Sequence, residues 1–386
     1  MNGLTPDEAE RQARAALEAD QPEQAEALAR ALLPNGNGLL RYWQILSTAL
    51  RRQGRAAEAR TIQEMLVDAT PGNLELRFDL AETLLLLGEF DRGWKEYHYR
   101  YYLSHTEHLR RTVQMPRWDG RPLDGKTLLI HDEQGFGDTI QFMRLVPWAK
   151  KRSGARVVLQ IVKELLPFVE RLDGIDEIVL RGQLPPPFDW HCEMMSLPMA
   201  MKLQTSELPG KMPYVKPLPA RIRRWKPRLA EYEGLKVAVV WAGRSNHFND
   251  RNRSMNLSQF APLGMEGVTF LSVQKGFRVE EAQNPPAGMN FIDLGPTIED
   301  FEDTAAIFSL VDLVISVDSS PIHLAGAMGR PVWVLLPFVP DWRWLMDRTD
   351  TPWYPSMRLF RQTARGDWPG VMARVAEALS ALRDGG

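Results

Sequence analysis

Two segments concentrate residue types that do chemistry at helix starts. The stronger is Asp318-Ser319-Ser320-Pro321-Ile322-His323-Leu324-Ala325-Gly326-Ala327, which leaves one apolar run and opens a helical one. Ser319 and Ser320 bring hydroxyls and capping oxygens, and proline suits the first helical position. A helix start attracts phosphate, because its first N–H groups are unpaired and the dipole is positive there. His323 reads either as a ligand group or as a satisfied helix histidine. The second segment is Gly135-Phe136-Gly137-Asp138-Thr139-Ile140-Gln141-Phe142. Its glycines let the backbone turn tightly and approach a ligand. Asp138 reads either as a general base for an acceptor hydroxyl or as a cap on the helix. Ile140 and Gln141 stand where a dinucleotide fingerprint wants its third glycine, and no Gly-Lys-Ser/Thr follows as a P-loop requires.

Three further stretches are polar or aromatic enough to matter. The loop from Gly243 to Ser254 carries Arg244, Arg251, Arg253 and His247 with almost no apolar anchor. Arginine forks suit phosphates and polar sugars; the alternative is a solvated loop. Gln274-Lys275-Gly276 closes an apolar run, where the lysine reads as a diphosphate contact or as an exposed strand end. Asp341-Trp342-Arg343-Trp344, with Trp353-Tyr354-Pro355, reads as a wall for a base or sugar ring, or as packing of a long connection. Several chemistries are disfavoured. The seven histidines (98, 105, 108, 131, 191, 247 and 323) show no HExxH spacing, and no Gly-x-Ser-x-Gly elbow occurs. The single cysteine, Cys192, can form neither an internal disulfide nor a cysteine-based zinc site.

The elements that must position these segments fall into two kinds. The first hundred residues are rich in Ala, Leu, Glu and Arg at helical spacing, and they repeat. Asp20, Gly54 and Gly88 recur every 34 residues, and so do Ala25, Ala59 and Gly93. That step, with a turn residue followed by a small one, is the tetratricopeptide spacing. Two and a half to three units fit, so the array offers a groove for a partner or acts as a brace. After about residue 115 apolar strands alternate with helices, which predicts a parallel sheet with right-handed crossovers. The expected strands are Thr127–His131, Arg156–Ile161, Glu177–Leu180, Lys236–Ala242, Val268–Gln274, Phe291–Leu294, Leu313–Val317 and Val332–Leu336. A proline-rich stretch, Leu208–Pro227, divides them into two halves. The expected domains are 1–112 (helical repeats), 113–222 (acceptor-side half) and 223–386 (nucleotide-sugar half), with the last helix packing back on the first half.

The totals agree with a globular chain. Of 386 residues 44% are hydrophobic and 25% charged, enough for a large core without disulfides. A formal charge of −2 gives no bulk attraction to nucleic acid or membrane. The first residues lack a basic, apolar leader, and no run approaches membrane-spanning length. The expected compartment is therefore the cytoplasm.

Taken in order, Gly135–Phe142, Asn249–Ser254, Gln274–Gly276, Asp318–Ala327 and Asp341–Trp344 resemble bacterial proteins that join tetratricopeptide repeats to a GT-B glycosyltransferase unit. These are related to the lipopolysaccharide heptosyltransferases and, more distantly, to the O-GlcNAc transferases. The resemblance covers nearly the whole chain. It implies two Rossmann-like halves facing a cleft, an inverting transfer from a nucleotide-sugar co-substrate, and no metal or other cofactor. It implies Asp138 as the base. It puts Gly137, Arg251, Arg253, Gln274, Lys275, Asp318, Ser319, Ser320 and His323 on the donor. Gln141, His247 and Trp342 are the acceptor-side or cleft-lining candidates. Two positions depart from the pattern: Ser320-Pro321 replaces Thr/Ser with a small residue, and Phe136 replaces a common leucine. The expected partners are the nucleotide-sugar and a protein or glycan acceptor, met through the repeats, with a homo-oligomer a further possibility and nucleic acid excluded. Two other classes compete: a catalytically dead scaffold that senses nucleotide-sugar, and a nucleotide-sugar epimerase of the same shape.

Overall fold

The computed structural model describes residues 5–35, 39–109, 113–208, 210–247 and 249–385. The start of the chain up to Leu4, Thr112 at the expected domain end, Pro209 and Phe248 lie outside the described residues. Two compact units are present: residues 1–112 with 203–205 and 339–347, and residues 113–202, 206–338 and 348–386.

The first unit is helical. Helices α1 (Pro6–Glu18), α2 (Pro22–Leu32), α3 (Leu39–Arg52), α4 (Ala56–Ala69), α5 (Leu74–Leu86) and α6 (Phe90–Tyr97) form three hairpins. Each hairpin turns the same way. Asp20, Gly54 and Gly88 sit in the left-handed region at φ 58°, 78° and 80°. Glycine enters that region freely and aspartate tolerates it, so those residue types recur there. The same bond closes each turn: the N–H groups of Gln21, Arg55 and Glu89 donate to the carbonyls of Ala16, Leu50 and Leu84. The small residues sit where the paired helices touch. Ala25 and Ala59 are fully buried, and a Cβ on Gly93 would lie 2.7 Å from Leu85 Cδ2.

The short segment Val339–Asp347 belongs to this helical unit. Trp342 meets Trp94 edge-on, with ring centroids 5.1 Å apart, and lies 6.2 Å from Tyr97. Trp342 is 5% exposed. It is therefore a packing residue of the helical unit, and the cleft-lining expectation is corrected. An aromatic run that leaves a strand end can travel to any apolar surface within its reach, which spacing alone does not specify.

The second unit carries two wholly parallel sheets. The first half runs β1 (Thr127–His131), α7 (Phe136–Phe142), α8 (Val146–Ser153), β2 (Arg156–Ile161), α9 (Leu166–Val169), β3 (Glu177–Leu180), β4 (Trp190–Glu193) and α10 (Leu197–Met201). Its strand order is β3-β2-β1-β4. The second half runs α11 (Pro219–Ala230), β5 (Leu235–Val240), α12 (Asp250–Arg253), β6 (Val268–Ser272), β7 (Asn290–Asp293), α13 (Phe301–Leu310), β8 (Leu313–Val317), α14 (Ser320–Ala327), β9 (Val332–Leu336), β10 (Met357–Arg361) and α15 (Trp368–Arg383). Its order is β10-β9-β8-β5-β6-β7, with Val239 paired to Ser272 on one side and Ile315 on the other. Strands β6, β8 and β9 are buried at every position, as sheets covered on both faces require. In each half the strand order reverses beside the first strand, and ligands of open α/β sheets bind at the carboxyl ends there.

The connections include one helix in the proline-rich stretch, and one expectation, that of the last helix, changes. The proline-rich stretch contains a helix, α11, held by Trp225 Nε1 donating to Asp303 (2.8 Å) and by the ion pair of Arg221 with Asp300 (2.6 Å). Pro227 falls inside that helix. The last helix, α15, packs on the second half and not back on the first. Its buried Val371, Met372, Val375 and Leu379 join Val237, Ile315, Leu335 and Phe360 in one core.

Candidate functional site

Helix α7 opens at the carboxyl end of β1, and α14 opens at the carboxyl end of β8. In the second half, Val317 ends the strand, Asp318 is buried, and Ser319 caps α14 in an extended conformation. The Ser319 hydroxyl donates back to the Val317 carbonyl (3.3 Å) and does not cap the amides of the first turn. That helix start keeps its attraction for an anion. In the first half, Gly135 caps α7, and Asp138 Oδ2 accepts the Gly135 N–H at 2.9 Å. The cap reading of Asp138 is therefore realised, on one of its two oxygens.

The two helix starts touch. A Cβ on Gly137 would lie 2.8 Å from His323 Cδ2 and 3.4 Å from Ser320 Cα. Only glycine allows that approach. Gly137, Asp138, Ser320 and His323 thus come together at one place, although their segments are far apart in sequence. Gln141, one turn further along α7, is fully buried, so its expected cleft-lining role is corrected. It lies on the face of α7 that packs inward.

His323 is 5% exposed, and its Nδ1 lies 3.0 Å from the Tyr354 hydroxyl. Behind that pair is a buried cation. Arg144 Nε donates to the Gln141 carbonyl (2.9 Å), one terminal nitrogen donates to the Trp353 carbonyl (2.6 Å), and the other to the Tyr214 hydroxyl (2.9 Å). Its Cζ stands 4.6 Å above the Tyr214 ring and 4.5 Å above the Tyr354 ring. Tyr214 donates to the Ile140 carbonyl (2.9 Å). Burial pushes the hydroxyls of Tyr214 and Tyr354 above their ordinary value. Sequence reasoning missed Arg144 and Tyr214. Their only local signal is the residue type, since Arg144 reaches Trp353 and Tyr214, and Tyr214 reaches Ile140, across long stretches of chain.

The remaining donor-side expectations divide. Gln274 is buried, and every polar atom of its side chain is engaged. Its Oε1 accepts the N–H groups of Trp241 (3.1 Å) and Ala242 (3.2 Å), and its Nε2 donates to the carbonyls of Ala242 (3.0 Å) and Phe277 (2.8 Å). It braces the ends of β5 and β6, and the expectation of direct donor contact is corrected. Lys275 is exposed, and its Nζ donates to the carbonyls of Gly295 (3.1 Å) and Ile298 (2.9 Å). An ammonium has three hydrogens, so one direction stays open to a ligand. In the polar loop, Arg253 pairs with Asp250 (3.3 Å) and lies on Gly243, where a Cβ would meet its guanidinium at 2.6 Å. Ser254 accepts the Gly243 N–H (2.9 Å) and donates to Asp250 (2.8 Å). The loop is thus folded on itself around α12. Arg251 is exposed, and His247 Nδ1 accepts the Asn249 N–H (3.2 Å).

Among the described residues, His131, His191 and Glu193 form a group with metal-ligand chemistry, all three buried, with ligand atoms within 4.8 Å of one another. They lie on neighbouring strands β1 and β4, and the two imidazoles stack at 5.6 Å. Glu193 already holds Arg117, whose Nε and terminal nitrogen reach its Oε1 at 2.9 and 2.8 Å. Burial pushes the Glu193 carboxyl up. The Arg117 hydrogen bonds, with the positive fields of His131 and Arg117, more than offset this and leave it at about 2. Desolvation holds the His191 ring below its ordinary value.

The sign of the Glu193 shift fixes a pH dependence. A carboxyl held below its ordinary 4.5 stabilises the fold above that value and loses the contribution as pH falls toward 2. The full contribution is about 3 kcal/mol at neutral pH. Arg117→Met should therefore cost about 3 kcal/mol at pH 7 by leaving a buried carboxylate alone. The deficit should narrow at about pH 4, where the lone carboxyl takes up a proton. Urea midpoints at the two pH values measure this, and an equal deficit at both would sink the assignment.

These features define a GT-B architecture: two Rossmann-like halves in one unit, preceded in the chain by helices. The ADP-heptose lipopolysaccharide heptosyltransferase II of E. coli shares the fold. It is 14% identical, with a TM-score of 0.50, over 66% of this chain and 98% of that one. An O-GlcNAc transferase mutant from Thermobaculum terrenum aligns over 98% of this chain and 91% of its own, at 12% identity and a TM-score of 0.35. Residues 263–336 match the family described as glycosyltransferase family 9 (heptosyltransferase). That span holds Lys275, Asp318, Ser319, Ser320 and His323. Protein FlbA of Caulobacter vibrioides is 29% identical over 341 residues, which is 80% of this chain and 56% of that protein. The chain thus spans about half the length of that relative. No helix among the described residues is long and apolar enough to cross a membrane.

Proposed function

We propose that this protein is a metal-independent, inverting glycosyltransferase that moves a sugar from a nucleotide-sugar to a protein or glycan acceptor. The observation that carries the reading is the meeting of two helix starts at Gly137 and His323. An inverting transfer needs a base on the acceptor oxygen and charge stabilisation at the leaving group, on opposite faces of the sugar. Asp138 in the first half supplies the base. In the second half, the α14 amides, Ser319, Ser320 and His323 meet the leaving phosphate, with the third Lys275 hydrogen and Arg251 as outer positive groups. No metal is required in this scheme, because fixed N–H dipoles and cations take its role. The match of residues 263–336 to a glycosyltransferase family supports the same side of the site as donor side. The helical hairpins, with their 34-residue step, are read as tetratricopeptide repeats that recognise the acceptor. The reading places the reaction in the cytoplasm.

A melting-shift screen over UDP, GDP, ADP and CMP sugars tests this. A ligand at a hundred times its dissociation constant stabilises by about 2.7 kcal/mol, which raises the melting temperature of a unit this size by about 5–10 °C. One nucleotide class should give that rise. A flat response to all four would overturn the reading, and turnover of a donor without any acceptor would point instead to an epimerase.

A further inference from the structure

We infer that Arg171 and Glu302 form a latch that holds the two halves of the α/β unit closed, with Asp138 carried to the start of α14. Both are positioning residues, acting through the placement of Asp138. The inference rests on the glycosyltransferase reading only for what closure does to turnover.

Each half has its own sheet, and two helix starts of the second half reach the first. One is α14, which meets Gly137. The other is α13. Its first residue, Phe301, meets Phe136 of α7 edge-on, with ring centroids 5.2 Å apart. Its second, Glu302, is 2% exposed. One Glu302 oxygen accepts from the guanidinium of Arg171, which follows α9 in the first half. The other accepts the Leu218 N–H (2.9 Å), in the connection between the halves. The same terminal nitrogen of Arg171 also donates to the Lys216 carbonyl (2.9 Å). First half, connection and second half therefore meet on one carboxylate.

The helix dipole alone favours an acid in a first turn, but a glutamate is seldom fully buried unless it is paired. The neighbouring acids show the contrast. Asp300 takes Arg221 (2.6 Å) and Glu299 takes Arg224 (2.7 Å), and both cations come from α11 in the same half. Among the described residues, Arg171 is the one cation paired with Glu302. Parting the halves would separate the pair and let water reach both charges. Removing the cation while the halves stay closed would leave a buried carboxylate with a single N–H. Such a group is costly, and the cost falls on the closed arrangement alone. Loss of Arg171 therefore shifts the population toward an open arrangement. A neutral amide at position 302 cancels that drive. Its carbonyl still accepts the Leu218 N–H, and no charge is left to hydrate.

Pulsed electron-spin distances in the full chain read closure directly, with labels on Lys163→Cys and Glu280→Cys. Both positions are exposed, one in each half, and the natural Cys192 is buried. The labelled parent should give one short distance. Arg171→Met should add a longer component, and Arg171→Met with Glu302→Gln should remove most of it. Unchanged distances in Arg171→Met, or a double variant as open as the single one, would overturn the inference. Arg171→Lys keeps a cation beside the carboxylate and so folds where the methionine variant fails. Its side chain is shorter, so part of the longer component should remain, and its absence would count against the latch. In a second arm ADP, GDP and UDP serve as probes in calorimetry, beside turnover of the donor found by the melting-shift screen. The nucleotide sits on the second half, so Arg171→Met should bind it within about twofold of wild type, while turnover falls about tenfold where a tenth of the molecules stay closed. A merely structural arginine would move the melting temperature and leave the distances alone. Equal losses of affinity and turnover would overturn the positioning role. If none of the three nucleotides binds wild-type protein, the glycosyltransferase reading fails, while the distances still judge the latch by themselves.

Discussion

Asp138→Asn is expected to lower turnover by about 10³-fold, within the range for loss of a general base, while nucleotide-sugar affinity stays within about twofold of wild type. Asparagine is the informative change. Asp138 Oδ2 accepts the Gly135 N–H at 2.9 Å and so caps α7. An asparagine carbonyl can accept the same bond, so the cap survives. What disappears is the ability to take a proton from an acceptor hydroxyl. Alanine would remove both, and its loss of about 1 kcal/mol of capping would blur the reading. Steady-state turnover with a donor found by the screen, beside donor affinity from calorimetry, separates the roles. Turnover within tenfold of wild type would leave Asp138 as a cap alone. A parallel loss of donor affinity would place it on the donor side instead.

The second large effect falls on stability. Arg144→Met should destabilise the α/β unit by about 3 kcal/mol, the range for breaking a buried polar network, and lower its melting temperature by about 6–12 °C. Methionine replaces much of the volume and none of the donors. The carbonyls of Trp353 and Gln141 and the Tyr214 hydroxyl would each lose an N–H partner. The tyrosine rings would lose the cation stacked between them. Because Arg144 follows α7 while Trp353 and Tyr354 lie beyond β9, the loss should also loosen the junction at Gly137 and His323. Calorimetric unfolding measures the first effect. A melting temperature within about 2 °C of wild type, less than 1 kcal/mol for a unit of this size, would show that the network is ornamental.

Much of this architecture is legible in residue order alone. The 34-residue recurrence of Asp20, Gly54 and Gly88 is a local matter. Each must enter the left-handed region at the end of a helix, and few residue types do so cheaply. Five strands, Thr127–His131, Arg156–Ile161, Glu177–Leu180, Leu313–Val317 and Val332–Leu336, match their apolar runs residue for residue. Four of them lie between two other strands, where burial leaves a continuous apolar signature, while Glu177–Leu180 is a partly buried edge strand whose Ile178-Val179-Leu180 run is apolar all the same. The strands β4 and β10 escaped notice for the complementary reason. Trp190-His191-Cys192-Glu193 and Met357-Arg358-Leu359-Phe360-Arg361 are edge strands with polar positions, and neither makes an apolar run.

The site shows the same division. Gly135–Asp138 and Asp318–His323 announce themselves because a strand that turns into a helix needs small, capping and polar residues within a few positions. Tertiary structure decided which of their neighbours do chemistry and which do packing. Gln274 turned inward because the ends of β5 and β6 leave backbone groups that must be satisfied. Trp342 went to Trp94, because a large ring gains most where another apolar ring is waiting. Arg144, Tyr214 and Tyr354 form one buried group whose members lie in three distant stretches of chain, so no spacing rule reaches them. Residue order determined where backbone turns and helix starts must be, since those demands are met within a few residues. Only the folded chain determined which side chains share a buried space, because that depends on partners hundreds of residues away.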